Sequence, residues 1–369
     1  MTYEIEKLPL ETLLPAMARA EDQLARLDEI VRRSPVGEGF VERGHFFDVA
    51  ANMWVAGELV HIEDLVLHDA RMDVRAPTHE LTIAHAQLRT RRRIAMAEPD
   101  WATSEAGVAA LSGGVTERAG PMNAPTNKAF KDDEAGDDDP LSRDFADIDA
   151  ILERSQRLLD RMADGALPSR PERKPLVVGD LMIRDPEWDE DNRLFEWRQA
   201  MKRIEDLPAA LAAAILYDAW ESLEPMQNQH WLGGHLVSAY LRARGKVVSH
   251  LPAFHVGLKA IPRERRRARQ REERLLALLD AMSATAEAGM KEISRLSQAR
   301  DQMERQLRGR RSSSSLPATI ELVLSRPIVS APMIAKNAKV TQRGALNLIA
   351  DLGVREITGR GRYRAWGIV

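Results

Sequence analysis

Apolar residues recur at steps of three and four along most of the chain, which is the spacing of amphipathic helices. Residues 11–33 show the pattern first, with Leu13 and Leu24 near one face. Thr78 is a good N-cap for a helix that ends near Met96. The pattern predicts a mainly α fold, with further helical runs over 40–72, 141–163, 188–204, 207–223 and 229–244.

The helical pattern is interrupted by segments of different composition. Residues 102–140 are rich in Gly, Ala and Pro and end in the acidic run KDDEAGDDDP, which indicates a flexible loop. A Pro-containing linker follows at 163–175. The chain is therefore expected to comprise an N-terminal helical region (1–101), the flexible acidic loop (102–140), a central helical region (141–261), a long basic amphipathic helix (262–311) and a C-terminal module (312–369).

The predicted long helix carries an apolar seam. Leu275, Leu279 and Met282 begin a spacing of fours and threes that continues to Leu307. Such a seam is typical of a helix in a dimeric coiled coil, and it is also typical of a helix that packs on its own domain. Both interpretations stay open at this point, and the serines at 312–315 are expected to form a hinge after the helix.

The C-terminal module contains several signals for short elements. A helix is predicted over 317–324, Ser330 is an N-cap candidate for a second helix over 331–337, and Thr341 caps a third over 342–352. Gly353 can close this third helix in the left-handed conformation. Alternating residues at 354–357 and 363–366 predict two strands of a hairpin around TGRGR.

This order of helix, helix, turn, helix and hairpin is that of a winged helix-turn-helix. Val340 would fill the turn, and Leu346, Leu348 and Ile349 would face the core. Lys339 stands where such turns usually carry glycine, which is a departure from the pattern. The fold expected for the whole chain is a multi-helix body, a long connecting helix and a C-terminal winged helix-turn-helix with a small β-hairpin wing.

The third helix of such a module would enter the major groove of double-stranded DNA. Gln and Asn can each bind adenine with two hydrogen bonds, and Arg can bind guanine in the same way. Arginines on the hairpin would contact phosphates or the minor groove. The candidate DNA-binding residues are Thr341, Gln342, Arg343 and Asn347 on the helix, and Arg360, Arg362 and Arg364 on the hairpin.

Charge is distributed unevenly along the chain. The net charge is -3, yet residues 263–369 hold 22 of the 53 Lys and Arg and only 11 of the 56 Asp and Glu, a local +11. The remaining residues therefore carry -14. A basic end on an acidic body is typical of nucleic-acid contact, although a solvated basic face gives the same count.

Composition excludes several kinds of site and compartment. The chain has no cysteine, which excludes disulfides and thiolate ligands and fits a reducing cytoplasm. No signal peptide and no apolar run of about 18 residues is present, so we expect a cytoplasmic protein without membrane contact. His230 and His235 lie five apart, as do His250 and His255, which misses the i, i+4 spacing of helical zinc ligands. We expect no metal and no cofactor.

Two long stretches carry a resemblance to a known family. HWLGGHLVSAYLRARGKVVSHLPAFHVGLKAIPRERRRA, from His230, and RPIVSAPMIAK, from Arg326, with the terminal GRGRYRAWGI, are similar to rhizobial proteins that are often plasmid-borne. Those proteins carry a domain of unknown function followed by a helix-turn-helix DNA-binding domain. The resemblance covers most of the chain, is densest from about 220 to 369, and implies DNA binding without naming a target.

A second resemblance is to Fic-domain proteins, which often end in a winged helix. ELVHIED (58–64) is similar to their inhibitory helix, with Glu63 at the glutamate position. The run HWLGGH from His230 resembles their catalytic loop HPF-x-[DE]-GN-GR, but only His230 matches. The metal-binding acid and the Asn and Arg of that loop have no counterpart. The resemblance implies a degenerate, all-α scaffold, so we expect no catalytic residue and no enzyme activity.

Taken together, the sequence favours a DNA-binding regulator of transcription or plasmid maintenance that works as a homodimer. Two alternatives from other classes remain. One is a divergent Fic-type nucleotide transferase that uses His230. The other is a protein-interaction module of the toxin–antitoxin kind, since winged helices also bind proteins.

Overall fold

Helices dominate the residues that the computed structural model describes, which are 3, 8–73, 76–112, 188–307, 315–358 and 364–368, and the expected mainly α class is confirmed. The helices before the C-terminal module form a body around one large apolar core. They are α1 (Leu10–Arg33), α2 (Gly37–Ala56), α3 (Ile62–Asp69), α4 (His79–Met96), a 3₁₀ turn (Trp101–Thr103), α5 (Glu105–Leu111), α6 (Glu190–Arg203), α7 (Ala209–Leu223), α8 (Leu232–Ala243), α9 (Phe254–Ala260), α10 (Arg263–Arg266) and α11 (Arg271–Leu307).

Helix α11 is the centre of this body. It packs against α1, α7 and α9, and its apolar seam is buried among them. Leu275, Leu279 and Leu296 are fully buried, and Met282 and Ile293 nearly so. The seam therefore serves packing within the chain's own body, and it is not available as the stripe of a coiled-coil dimer.

The prediction of a single helix from residue 262 to 311 is wrong at its start. The chain makes one turn, α10, leaves helical geometry at Arg267, and begins α11 four residues later. The Arg274 guanidinium donates at 3.1 Å to the carbonyls of Ala268 and Arg269. These carbonyls accept a side chain instead of helical backbone amides, which sequence periodicity does not reveal. Residues 308–311 lie outside the described part of the chain.

The N-terminal helices follow the sequence closely. Thr78 caps α4 as expected, because its hydroxyl accepts from the Leu81 amide at 3.2 Å. The run over 40–72 is broken at Gly57, whose left-handed φ of 93° ends α2. The prediction of a flexible loop over 102–140 is wrong at its start, because Ser104 caps helix α5, whose Val108 and Leu111 are buried. The rest of that loop from residue 113, the helix expected at 141–163 and the linker at 163–175 lie outside the described residues. No described helix combines the length and apolar character needed to cross a membrane.

The C-terminal module consists of three helices and a small antiparallel sheet. The order along the sheet is β1-β3-β2, so the last strand lies in the middle, with Trp366 opposite Val329 on one side and Glu356 on the other. The first strand was not expected from the sequence, because two residues carry no detectable alternation. The elements are α12 (Leu316–Ser325), β1 (Val329–Ser330), α13 (Ala331–Ala338), α14 (Gln342–Leu352), β2 (Arg355–Glu356) and β3 (Ala365–Gly367).

The module shares apolar cores with the body. Ile328, Met333 and Ala365 pack in one cluster with residues of α2, α3 and α4, among them the fully buried Phe46. Helix α12 lies so close to α2 that a Cβ on Gly39 would stand 3.0 Å from the Leu324 carbonyl oxygen. The module is thus docked on the helical body, and the chain from Arg184 to Val369 joins Met1–Thr116 in one compact unit.

Candidate nucleic-acid interface

Helix α14 is the element expected to read DNA, and its boundaries match the prediction. The Thr341 hydroxyl accepts from the Gly344 amide at 3.1 Å, and Gly353 ends the helix with a left-handed φ of 63°. Its buried side consists of Ala345, Leu348, Ile349 and Leu352. Leu346 was expected to face this core and does not, since it is 40% exposed. One residue past Ala345 is a rotation of about 100°, which turns Leu346 outward.

The opposite side of α14 is exposed and carries the predicted helix residues. Thr341 and Gln342 lie at its first turn, and Arg343 and Asn347 follow one helical turn apart. All four are exposed, and Leu346 completes the surface between Arg343 and Asn347. The structure therefore brings together the four helix residues that the sequence singled out. We call this surface the α14 face.

The turn before α14 is held in an unusual conformation. Lys339 has φ 52° and ψ 45°, the left-handed region where glycine is ordinarily found. The Val340 amide then donates to the Ala335 carbonyl at 3.0 Å, and Val340 packs against the core as expected. Lys339 and Lys336 are exposed on this turn and on α13. Sequence reasoning did not include them as site residues, although two cations beside a reading helix would favour phosphate.

The hairpin holds one of its predicted arginines in an ion pair. The Arg364 guanidinium donates to Glu356 at 3.0 Å through Nε and at 2.6 Å through Nη2, and it lies 5.2 Å from the centre of the Trp366 ring. Hydrogen bonds from Arg364 hold the pKa of Glu356 below its ordinary value. Arg360 and Arg362 lie outside the described residues, so the predicted hairpin residues are not seen as one group. Arg355 on β2 is also exposed.

Comparison with known proteins agrees with this architecture. Residues 182–308 match a family described as "Protein of unknown function (DUF1612)", and 316–369 match a helix-turn-helix DNA binding domain. The whole chain is 45% identical to the uncharacterized protein y4cF of Sinorhizobium fredii over the full length of both. The chain belongs to this DUF1612 and helix-turn-helix family. The resemblance to rhizobial proteins is thereby confirmed. The descriptions of the two matched families mention no enzymatic activity.

The DUF1612 segment meets α2 at a buried polar cluster that the sequence did not predict. Asp48 is fully buried and accepts from Arg91 at 2.7 Å and from the His255 amide at 2.7 Å. Burial alone would raise the pKa of Asp48, but Arg91 and His255 hold it well below its ordinary value. Arg91 also donates to the carbonyls of Leu251 and Pro252 at 2.7 and 2.8 Å. The cluster therefore joins α2, α4 and the loop before α9.

Three atoms of this cluster converge as metal ligands would. The Asp48 Oδ2 lies 3.1 Å from His255 Nδ1 and 3.5 Å from His235 Nδ1. However, the Arg91 guanidinium binds the same oxygen and neutralises the only carboxylate. A divalent ion would add two uncompensated charges to a fully buried position, which is costly. We interpret the cluster as an ion pair that fixes the DUF1612 segment to α2.

His230 of the DUF1612 segment is the residue that a Fic-type reaction would use. Its Nε2 lies 2.9 Å from Glu221 Oε1, and this hydrogen bond raises the pKa of His230. A carboxylate partner orients the histidine in many general bases and also in purely structural pairs, so this contact favours neither role. Its carbonyl oxygen accepts from the Trp220 indole at 2.9 Å, so a hydrogen bond from a buried side chain holds the backbone of this loop. The contacts of His230 thus have a structural explanation.

Proposed function

We propose that this protein is a sequence-specific DNA-binding protein that regulates transcription or plasmid maintenance in the cytoplasm. The observation that carries the proposal is the α14 face, a solvent-exposed set of Thr341, Gln342, Arg343 and Asn347 on the second helix of a helix-turn-helix. Side chains in the first turns of such a helix reach base edges in the major groove. Arg343 would read guanine, and Gln342 or Asn347 adenine.

We further propose that the hairpin is a wing, formed by residues 358–364. The order α12, β1, α13, α14, β2 and β3 supports this assignment, because it is the order of winged helices. Arg360 and Arg362 would contact phosphates or the minor groove. Arg364 would brace the base of the wing through Glu356, and it would reach a phosphate only by exchanging that carboxylate for it.

Charge supports the same surface. Residues 316–369 hold eight Lys and Arg against three acids, an excess of five positive charges in a protein whose total is -3. Lys336 and Lys339 on the turn extend the basic surface beyond the α14 face. Each phosphate contact releases condensed counterions, so such a surface favours DNA in a salt-dependent way. A protein-interaction module has no comparable need for this excess.

We propose a homodimer, because a single helix-turn-helix buries little surface and two linked half-sites raise affinity. The dimer surface would lie outside the α11 seam, which the chain's own body covers. Its operator would then be a palindrome with half-sites about one or two helical turns apart.

Selection from a randomised duplex pool tests this function. The wild-type protein should enrich a palindromic motif, and Arg343→Ala should lose preference at one base pair of each half-site. Arg26→Ala removes one exposed positive charge from α1 and should select the wild-type motif. A pool that stays random with the wild-type protein would overturn sequence-specific binding.

The Fic-type alternative has less support in the site. It would need a free base at His230, a metal-binding acid and an anion-binding loop together. His230, paired with Glu221, could supply the first of these, but the run HWLGGH offers neither the acid nor the Asn and Arg of that loop. A thermal shift with ATP and magnesium is the observation that would revive it.

A further inference from the structure

A large cavity of about 700 Å³ opens between α2, α9, α11 and the segment after α2. This volume lies within the range of small-molecule sites, roughly 300–1,000 Å³. Its walls are mainly apolar, with Phe40, Phe47 and Trp54 from α2 on one side and Val256 and Gly289 on the other. Trp54 remains 45% exposed beside it, which is unusual for so large an apolar side chain.

A glycine of α2 keeps this cavity open. Gly44 lies in the interior of the helix and lines the cavity, yet a Cβ placed on it would meet nothing within 4 Å. Glycine inside a helix costs about 0.5–1 kcal/mol relative to alanine. At Gly39 of the same helix close approach of α12 explains the glycine, but no neighbour explains Gly44. Gly44 therefore leaves the cavity beside α2 free of a side chain at this position.

The rim of the cavity carries an excess of positive charge. Lys259, Lys291 and Arg295 line it, against Glu58 and Glu292. Glu292 is already paired with Arg43 at 2.8 Å and with Arg295 at 2.5 Å. The lysines are exposed, and the Lys259 ammonium lies 5.2 Å from the centre of the Trp54 ring. An apolar space with cations at its rim is complementary to a molecule with an apolar body and an anionic end.

The wall of the cavity is connected to the DNA-binding module. Arg43, which is only 1% exposed, binds Glu292 through Nε and donates through Nη1 to the Arg326 carbonyl at 2.5 Å. Arg326 is the residue that ends α12, the first helix of the module. A molecule that moved Glu292 or α2 would therefore act on a buried ion pair that holds α12 to the body.

From these observations we propose that the cavity binds an amphipathic organic acid, with a long acyl or aromatic body between α2 and α11 and its carboxylate near Lys259 and Lys291. Binding changes how α12 and α13 dock on α2, and so changes DNA affinity. This second step rests on the proposed DNA-binding function, whereas binding of the acid does not. The protein would then be a regulator that responds to a metabolite.

A dansyl-labelled undecanoic acid is a suitable probe, since its fluorescence rises in apolar surroundings. The full-length protein should bind it with saturable fluorescence gain, and dodecanoate should displace it. The matched methyl ester, which lacks the charge, should bind more weakly. Lys259→Gln and Lys291→Gln should each weaken the acid about threefold, the size of an exposed ion pair, and leave the ester unchanged.

Gly44→Leu is the blocking variant, because its Cβ would meet nothing within 4 Å and Gly44 lines the cavity, so the added side chain should fill the cavity and leave the fold stable. It should abolish probe binding. In the wild-type protein, dodecanoate should change hydrogen exchange in residues 316–338 and shift DNA affinity at least threefold, and in Gly44→Leu it should change neither.

The outcomes separate the two proposals. Probe binding with a change in exchange but no DNA binding would uphold the acid site and overturn the DNA-binding function. Equal probe binding by wild type and Gly44→Leu, or none by either, would overturn the acid site. Probe binding that leaves exchange in 316–338 unchanged would overturn the connection between the cavity and the module.

Discussion

At the scale of single residues, Lys339 has a left-handed backbone conformation, which is ordinarily adopted by glycine. Its left-handed backbone costs an L residue about 1 kcal/mol that glycine does not incur. The sequence identified this departure from the helix-turn-helix pattern, and the structure shows that the turn keeps its shape in spite of it. The exposed ammonium beside α14 is a reason for retaining lysine there.

Lys339→Gly is therefore expected to raise the free energy of unfolding by about 1 kcal/mol. Urea denaturation at fixed pH measures this change. Lys339→Ala removes the same charge while it keeps a Cβ, so it should give no comparable gain. Equal stabilisation by both variants would show that charge, and not backbone conformation, governs stability at this position.

The buried histidines make stability depend on pH. Burial lowers the pKa of His235 to about 4 and that of His250 to about 4. The ordinary value of about 6.5 returns on unfolding, so the unfolded chain binds more protons between these limits. The contribution of His235 and His250 to the free energy of unfolding should be fully present above about pH 6.5 and should be lost as pH falls toward 4, by about 1.4 kcal/mol per pH unit for each histidine.

Urea denaturation at several pH values between about 4 and 6.5 measures the slope of the unfolding free energy against pH. In His235→Leu the slope should be smaller by about 1.4 kcal/mol per pH unit, because one titrating group is gone. Its fold should persist, since leucine is apolar and near histidine in size, and Asp48, which lies 3.5 Å from His235 Nδ1, keeps its hydrogen bonds with Arg91 and His255. An unchanged slope in this variant would contradict the assignment.

At the scale of elements, α2 is where the body and the module meet. It packs on α4, α9 and α12, and it contributes Arg43 and Phe46 to the contact with the module. Sequence periodicity predicted a helix in this region but not its importance, because its apolar residues are buried on more than one side. A helix that is covered on several sides has no single apolar face for the pattern to reveal.

Two glycines of α2 provide a matched test of this packing. Gly39→Ala should destabilise the protein by about 1 kcal/mol or more, because its Cβ would press on the backbone of α12 at Leu324. Gly44→Ala should stabilise it by about 0.5–1 kcal/mol, because its Cβ meets open space and helix propensity improves. Thermal and urea unfolding measure both. A higher free energy of unfolding in both variants would show that α12 moves away from the new Cβ at position 39 at little cost.

Local signals in the sequence predicted the elements of the C-terminal module well. The caps at Ser330 and Thr341 and the end at Gly353 follow from side-chain chemistry within a few residues. The same locality explains the errors. The break before α11 depends on Arg274 bonding to carbonyls five and six residues earlier, and the outward turn of Leu346 depends on which side of α14 the body covers.

The candidate site was predictable in part for a similar reason. Exposure of the α14 face follows from helical geometry once the buried side is known. The Asp48, Arg91 and His255 cluster joins residues that are far apart in the sequence, so no local pattern marks it. The ion pair of Glu356 with Arg364 depends on the register of β2 and β3, which the hairpin signal alone does not fix.

At the scale of the whole molecule, the module and the body stabilise each other. Phe46 and Val49 of the body share a core with Ile328 and Met333 of the module. A protein ending at residue 311 should therefore expose this apolar surface. We expect it to bind 8-anilinonaphthalene-1-sulfonate more strongly than the full chain and to unfold at lower temperature. Unchanged stability after truncation would show instead that the module is an independent domain.

Because truncation disturbs the body, point variants give the more direct test of the central claim that the α14 face reads DNA. Fluorescence anisotropy should compare wild type, the double variant Arg343→Ala, Asn347→Ala, and Arg26→Ala. The duplexes would be one from the gene's own upstream region and a scrambled control, over a range of salt. We predict that wild type and Arg26→Ala prefer the first duplex, with affinity falling about a hundredfold between about 50 and 200 mM salt. The double variant should bind both duplexes alike, and a double variant that kept the wild-type preference would contradict the claim.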